Sequence, residues 1–187
     1  MSQENVGRAV RYPISLPSGR AGQRRSFDER LLVRFPALYR PVAVFWTRLP
    51  PGSRLRGLLL RRTVARGAAA FNRRDFELAL LGFDSEIEWV EDPRRADGRI
   101  YRGHEGVRES FERWLENFSE YEAKVEWIVD CGDKILVYGH EEGRGSLSGA
   151  PISQRIYTVH TFRNGKVARY EEFYEEQDAL EAAGLSE

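Results

Sequence analysis

The sequence predicts an α+β fold: a curved, mostly antiparallel sheet covered by helices, with an extra helical extension at the N-terminal end. Three observations carry this. From Tyr121 the apolar residues alternate: Ala123, Val125, Trp127 and Val129 are separated by Glu122, Lys124 and Glu126, as in a half-buried strand. The pair Asn164-Gly165, set between two apolar runs, is the strongest hairpin signal in the chain, because both turn positions need positive φ. Upstream of Tyr121 the apolar period is helical and the helix starts carry caps.

The elements follow in order. Residues 1–25 hold Pro13, Pro17, Gly19, Gly22 and scattered arginines without an apolar period, so an extended or flexible arm is expected. Ser26 with Glu29 forms a capping box. Leu31, Leu32, Phe35, Leu38, Val42 and Phe45 follow at near-helical spacing, which predicts that they are the buried stripe. Pro36 and Pro41 turn this stretch into a kinked helix or two short ones. Pro50-Pro51-Gly52 breaks the chain, and Ser53 caps a helix to about Asn72. Its expected face is Leu55, Leu58, Leu59, Arg62, Ala65, Ala69 and Phe71.

Asp75 opens a short helix from Phe76 to Leu81, with its charge where the helix dipole favours it. Ile87 to Val90 reads as a short strand and Asp92 to Arg102 as a loop. Gly103 to Phe118 is a helix with Val107, Phe111, Trp114, Leu115 and Phe118 on its buried side. Four antiparallel strands follow: the run from Tyr121, then Lys134 to Gly143, Ile152 to Arg163, and Lys166 to Tyr174. A helix from Glu175 to Ala183 ends at Gly184.

The 187 residues divide into a basic arm and helical extension, 1–52, and a domain over 53–187. No apolar run reaches the roughly 18 residues that span a bilayer, and the first residues do not read as a secretory signal. A single cysteine, Cys131, excludes an internal disulfide, so a reducing, cytoplasmic setting is expected. Cys131 has no basic neighbour in sequence and reads as inert. There is no phosphate-binding glycine motif and no serine nucleophile elbow; His140 and Glu142 share a strand face without making a metal site, and no cofactor or metal is expected.

A formal net charge of +0 conceals two opposite halves. Residues 1–74 carry sixteen arginines and no lysine against Glu4, Asp28 and Glu29, a balance of +13; the remainder carries −13. The favoured reading docks the basic segment on its own acidic domain or on a partner subunit's. No aromatic-interleaved basic stripe argues for nucleic acid.

Three stretches together resemble the SnoaL-like branch of the nuclear-transport-factor-2-like superfamily, whose relatives include ketosteroid isomerase, polyketide cyclases and limonene epoxide hydrolase. They are Ala70-Phe71-Asn72-Arg73-Arg74-Asp75-Phe76, Tyr101-Arg102-Gly103-His104-Glu105-Gly106-Val107, and Phe162-Arg163-Asn164-Gly165-Lys166-Val167. The similarity covers about residues 58 to 184. It implies a cystatin-like conical barrel with a pocket between sheet and helices, often a homodimer through the outer sheet face. That fold hosts enzymes and binders alike, so function rests on the site.

Asp92, in Val90-Glu91-Asp92-Pro93, falls where the isomerase carries its general base; the alternative is an Asp-Pro turn whose side chain binds backbone N–H groups. The isomerase's oxyanion tyrosine and aspartate fall near Gly67 and Thr158, neither able to act as the family's residues do. Glu172 occupies the position where the cyclases place an acid/base residue. On its strand Ala168, Tyr170, Glu172 and Tyr174 share one face, which the hairpin count turns toward the pocket. His160 shares a face with Gln154, Ile156, Thr158 and Phe162, near Tyr170 or Glu172, where a His–Glu pair would suit proton transfer. Trp89, Phe111, Trp114, Trp127 and Tyr138 read as core and pocket wall, joined by Thr158, Tyr170 and Tyr174. Arg155, the candidate for the arginine that an epoxide-hydrolase-like site sets between two aspartates, points away from His160 by parity. His104 reads as a helix-start or loop contact.

The expectation is therefore a small-molecule pocket protein: a cofactor-free isomerase, cyclase or hydrolase for a hydrophobic carbonyl or epoxide compound, with Asp92, His160 and Glu172 moving protons. The alternative is a non-catalytic ligand-binding or dimerisation module whose basic helices dock on a partner or, through residues 26–50, on a membrane surface.

Overall fold

The computed structural model describes residues 9–14 and 23–185. Its strands are β1 (Val10–Pro13), β2 (Phe83–Val90), β3 (Ile100–Arg102), β4 (Phe118–Asp130), β5 (Lys134–Gly145), β6 (Pro151–Arg163) and β7 (Lys166–Phe173). They form one open, curved sheet in the order β1-β4-β5-β6-β7-β2-β3. All neighbours pair antiparallel except β2 and β7, which are parallel. The helices are α1 (Phe27–Arg34), α2 (Tyr39–Thr47), α3 (Arg54–Asn72), α4 (Phe76–Leu80), α5 (Gly103–Glu116) and α6 (Glu176–Ala183). The expected α+β class with a helical N-terminal extension is the observed one.

The local signals act as their chemistry requires. Ser26 and Glu29 close a reciprocal capping box on α1, and a 3-10 turn at Pro36–Leu38 separates α1 from α2. Ser53 and Asp75 accept backbone N–H bonds at the starts of α3 and α4. Asn164 and Gly165 take φ of 53° and 82°, making the β6–β7 turn. Gly184 stops α6 at φ 76°.

Three expectations are corrected. Part of the expected arm is a strand: Val10–Pro13 pairs with Trp127–Asp130 at the sheet edge, where Pro13 is tolerated. The rest of that arm, residues 1–8 and 15–22, lies outside the described residues. The loop after β2 ends in β3, which pairs Ile100–Arg102 with Glu88–Val90. The stripe predicted to be buried in α1 and α2 is partly reversed: Leu31, Phe35, Leu38, Val42 and Phe45 are exposed. Val33, Tyr39, Ala43 and Trp46 pack inward instead. Both faces of these helices are apolar, so the period alone could not select the inner one.

α3 is rotated in the same way. Leu55 and Leu58 are exposed, while Arg56, Gly57 and Leu60 are buried. The Tyr12 ring of β1 lies against Gly57, where a Cβ would come within 2.5 Å of it. Arg56 is buried against Asp130 of β4 and also donates to the carbonyls of Thr47, Leu49 and Gly132. The N-terminal segment is thus held by this pair and by an apolar cluster of Ala43, Trp46, Leu60, Ile128, Ile135 and Val137. Among the described residues, its ion pairs to acidic residues beyond position 74 are Arg56–Asp130 and Arg25 with Asp75 and Glu77.

α3 and α5 cover the concave face of the sheet, and α6 lies on its other side over Leu136, Tyr157 and Val159. No helix is long and apolar enough to cross a membrane among the described residues.

Candidate functional site

Between the concave sheet face and helices α3 and α5 lies a hollow of about 200 Å³. Its walls are largely apolar and aromatic, and its ionisable groups include side chains from β4, β5, β6 and β7 and from the loop after β2. The strand period decides who faces it. On β6, Ile156, Thr158, His160 and Phe162 point inward; on β7, Tyr170 and Glu172 do, followed by Tyr174 just beyond the strand. The register sets Thr158 opposite Glu172 and His160 opposite Tyr170. Tyr170 stacks on Trp89 of β2 with ring centroids 3.6 Å apart. Phe111 and Trp114 of α5 close the far wall.

Glu172 has no hydrogen-bond partner among the described residues. Its nearest cation is Arg95, with Nη1 3.8 Å from Oε2. Burial pushes its carboxyl well above the usual carboxylate range, and nearby Glu141 adds to the rise while Arg95 opposes it. The site therefore favours the protonated form of Glu172 more than water does. Arg95 is itself held in place: it lies 3.6 Å from Glu91 and its guanidinium sits 4.5 Å over the Trp114 ring. Glu91 in turn accepts from Arg113 at 2.6 Å, Ser110 at 3.1 Å and the Arg99 N–H at 3.1 Å.

A second acidic group faces the hollow from β5. Glu141 accepts from the Tyr121 hydroxyl and, at 2.6 Å, from the Gln154 amide. Burial raises its carboxyl and these hydrogen bonds oppose the rise. Tyr121 is driven up by burial and by Glu141, so its hydroxyl keeps its proton. Sequence reasoning missed Glu141, Tyr121 and Arg95. The signal for Glu141 was parity: it continues the inward set Ile135, Val137, Gly139. Arg95 sits on a loop, where no period points to it.

Other sequence-stated positions fall elsewhere. Asp92 is buried but does not line the hollow: Oδ1 accepts the Arg94 N–H at 2.7 Å and Oδ2 the Tyr174 N–H at 2.9 Å. It is the strand-ending turn, fastening β2 to the end of β7. Trp127 and Tyr138 do not line the hollow either; they stack on each other, 4.8 Å apart, on the opposite face of the sheet. For Trp127 the reason is a β-bulge between Val125 and Trp127, which reverses the parity of β4; Tyr138 alternates with the inward set Ile135, Val137, Gly139 of β5 and so faces out. Ile128, not Trp127, then points to the core. His160 lines the hollow, yet its Nε2 is bonded to Thr158 Oγ1 at 2.9 Å, and no His160–Glu172 hydrogen bond forms among the described residues. Burial pushes its imidazole down to about 3, so it is neutral. Trp89, Phe111, Trp114, Thr158, Tyr170 and Tyr174 line the hollow. Arg155 does not line it. His104 bonds the Phe83 carbonyl at 3.1 Å, a loop contact. Burial pushes the Cys131 thiol up to about 11, which keeps it unreactive. No group of three or more metal-ligating side chains converges among the described residues.

A family model described as SnoaL-like domain matches residues 64–170. The chain belongs to the SnoaL-like family. The SnoaL-like chain is similar in fold to solved structures that it spans almost in full. TerC, co-crystallised with polyporic acid, is 24% identical, with 66% of this chain and 96% of that one covered and a TM-score of 0.55. A nuclear-transport-factor-2-like protein of Burkholderia thailandensis E264 is 26% identical over 66% and 94%, with a TM-score of 0.56. A protein of ketosteroid isomerase-like fold from Catenulispora acidiphila DSM 44928, in complex with trimethylamine, is 17% identical over 66% and 93%, with a TM-score of 0.54. No curated protein matches this SnoaL-like chain.

Proposed function

We propose that the hollow binds a hydrophobic small molecule bearing a carbonyl or epoxide oxygen, and that Glu172 protonates or hydrogen-bonds that oxygen during an isomerisation, cyclisation or hydrolysis. One observation carries this reading. Glu172 is a carboxyl on an apolar wall whose burial favours its protonated form, it has no hydrogen-bond partner among the described residues, and Arg95 at 3.8 Å is placed to stabilise its carboxylate once the proton is given up. Tyr121 and Glu141 form a second polar pole on the same wall set, suited to orienting a ligand hydroxyl or carbonyl. His160, being neutral, acts as a hydrogen-bonding wall residue and not as a cation. Asp92, with both oxygens engaged by backbone N–H groups, has no place in the chemistry.

Epoxide opening is favoured among the three by Arg95, which stands between Glu91 and Glu172. This is the arginine-between-carboxylates arrangement that Arg155 does not supply. The solved relatives with polyporic acid and trimethylamine support the idea of a small-molecule site on this fold. Pairing of two chains across the outer sheet face belongs to the same reading, since Trp127 and Tyr138 leave half-buried aromatic surface there.

The test is a panel of hydrophobic epoxides and enolisable ketones, followed by product analysis and by deuterium exchange at the ketone α-carbon. Wild type should turn over at least one class, and Glu172→Gln should lose about 10²- to 10⁴-fold in rate while still binding. Binding without turnover in the wild type would make the hollow a carrier site. Full activity in Glu172→Gln would remove Glu172 from the mechanism.

A further inference from the structure

The N-terminal helices present apolar side chains on both faces. Inward, Val33, Tyr39, Ala43 and Trp46 pack on the domain. Outward, Phe27 and Leu31 of α1 and Phe35 at its C-cap recur at four-residue steps, and Leu38, Val42 and Phe45 continue through the 3-10 turn and α2. All six are between 44% and 76% exposed. So many large apolar side chains in succession are not ordinary surface scatter.

The charge beside them is of one sign. Arg30, Arg34 and Arg48 are exposed and form no ion pair among the described residues. They sit three or four residues from members of the outward row, and the Arg34 guanidinium lies 5.5 Å from the Phe35 ring. The segment's own acids are already engaged: Asp28 by Arg62 and Arg66, Glu29 by Arg73. The result is an aliphatic and aromatic ridge edged by uncompensated guanidinium groups.

We propose that this face docks on an anionic phospholipid surface, with the ridge entering the headgroup–acyl boundary and the arginines meeting lipid phosphates. The combination selects this occupant. A nucleic acid would reward the guanidinium groups but gain little from Leu31, Leu38 and Val42. A second copy of the chain would bring two surfaces of the same positive sign together.

Co-sedimentation of the full chain with vesicles tests it. The protein should pellet with phosphatidylcholine vesicles containing phosphatidylglycerol, less so as salt rises, and weakly with phosphatidylcholine alone. Arg34→Gln with Arg48→Gln should lower partitioning about 25-fold, at about fivefold per arginine. Val42→Ser with Phe45→Ser should abolish it. Because all four side chains are exposed, both pairs should keep the wild-type melting temperature, which separates lost docking from lost folding. No pelleting with phosphatidylglycerol vesicles at low salt would overturn the proposal. So would full binding by the Val42→Ser, Phe45→Ser pair. Finally, a wild-type dimer that this pair converts to monomer, without vesicle binding, would assign the ridge to a second copy.

Discussion

Arg56 and Asp130, 74 positions apart, meet in a fully buried bidentate pair, with Nε 2.7 Å from Oδ2 and Nη2 2.8 Å from Oδ1. The remaining guanidinium hydrogens reach the carbonyls of Thr47, Leu49 and Gly132, so one side chain joins α2, α3 and the β4–β5 turn. Removing only the arginine strands a carboxylate in the interior. Arg56→Met should therefore cost about 3–5 kcal/mol in urea denaturation. Arg56→Met with Asp130→Leu should recover a large part of that loss, because no uncompensated charge remains.

On the proposed reading Asp92 acts on stability rather than chemistry. In Asp92→Asn one carboxylate oxygen becomes an amide that cannot accept, leaving the Arg94 or Tyr174 N–H without its partner. We expect a loss of about 1–3 kcal/mol. Turnover per folded molecule should match the wild type within experimental error. A rate loss in fully folded protein would restore Asp92 as a base.

Two buried groups pull stability in opposite pH directions. Glu172 has a folded value raised above its unfolded one, so its contribution is complete below about pH 4.3 and is lost as pH climbs toward the folded value. His160 has a folded value lowered to about 3, so stability falls as pH drops from about 6.5 toward 3, with a slope of about 1.4 kcal/mol per pH unit. Melting curves of Glu172→Gln should be flatter than wild type above pH 5. Those of His160→Gln should be flatter below pH 6.5. Coincident curves for either variant would show that the group is not buried as described.

Gly165 is required twice over. Its φ of 82° suits glycine, and a Cβ there would stand 2.5 Å from Val44 N and 2.6 Å from Ala43 C. Gly165→Ala should thus destabilise by more than the roughly 1–2 kcal/mol of left-handed strain alone. The excess measures how firmly α2 is seated on the β6–β7 turn. It should vanish in a background where α2 has been loosened by Trp46→Ala.

Much of the fold was written in short-range signals. Ser26, Ser53, Asp75 and the Asn164-Gly165 pair act locally, and each did its work where the sequence put it. Alternation along each strand was enough to put Thr158 with His160, and Tyr170 with Glu172, on one face; a strict count from the hairpin would pair His160 with Arg169, and the irregularity between Thr161 and Phe162 is what sets His160 opposite Tyr170 and Thr158 opposite Glu172. The same alternation failed on β4, where the bulge at Glu126 adds one residue and sends Trp127 outward. Arg95 and the Glu91 network were hidden because their contacts span a loop and α5, which no local pattern encodes. The inner face of α1 and α2 was hidden for another reason. Periodicity reports that a helix has an apolar side, but it is silent when there are two.

The short strand Val10–Pro13 covers the open flank of β4 and places Arg11 4.3 Å over the Trp127 ring. A version of the chain trimmed to the family-matched region would bare a row of unpaired backbone donors and acceptors at Trp127–Asp130, beside an uncovered indole. Such a margin recruits other polypeptides by adding a strand. Anyone shortening this protein for crystallisation or assay should therefore expect a sticky, self-associating product, and would do better to keep the leading residues than to regard them as dispensable.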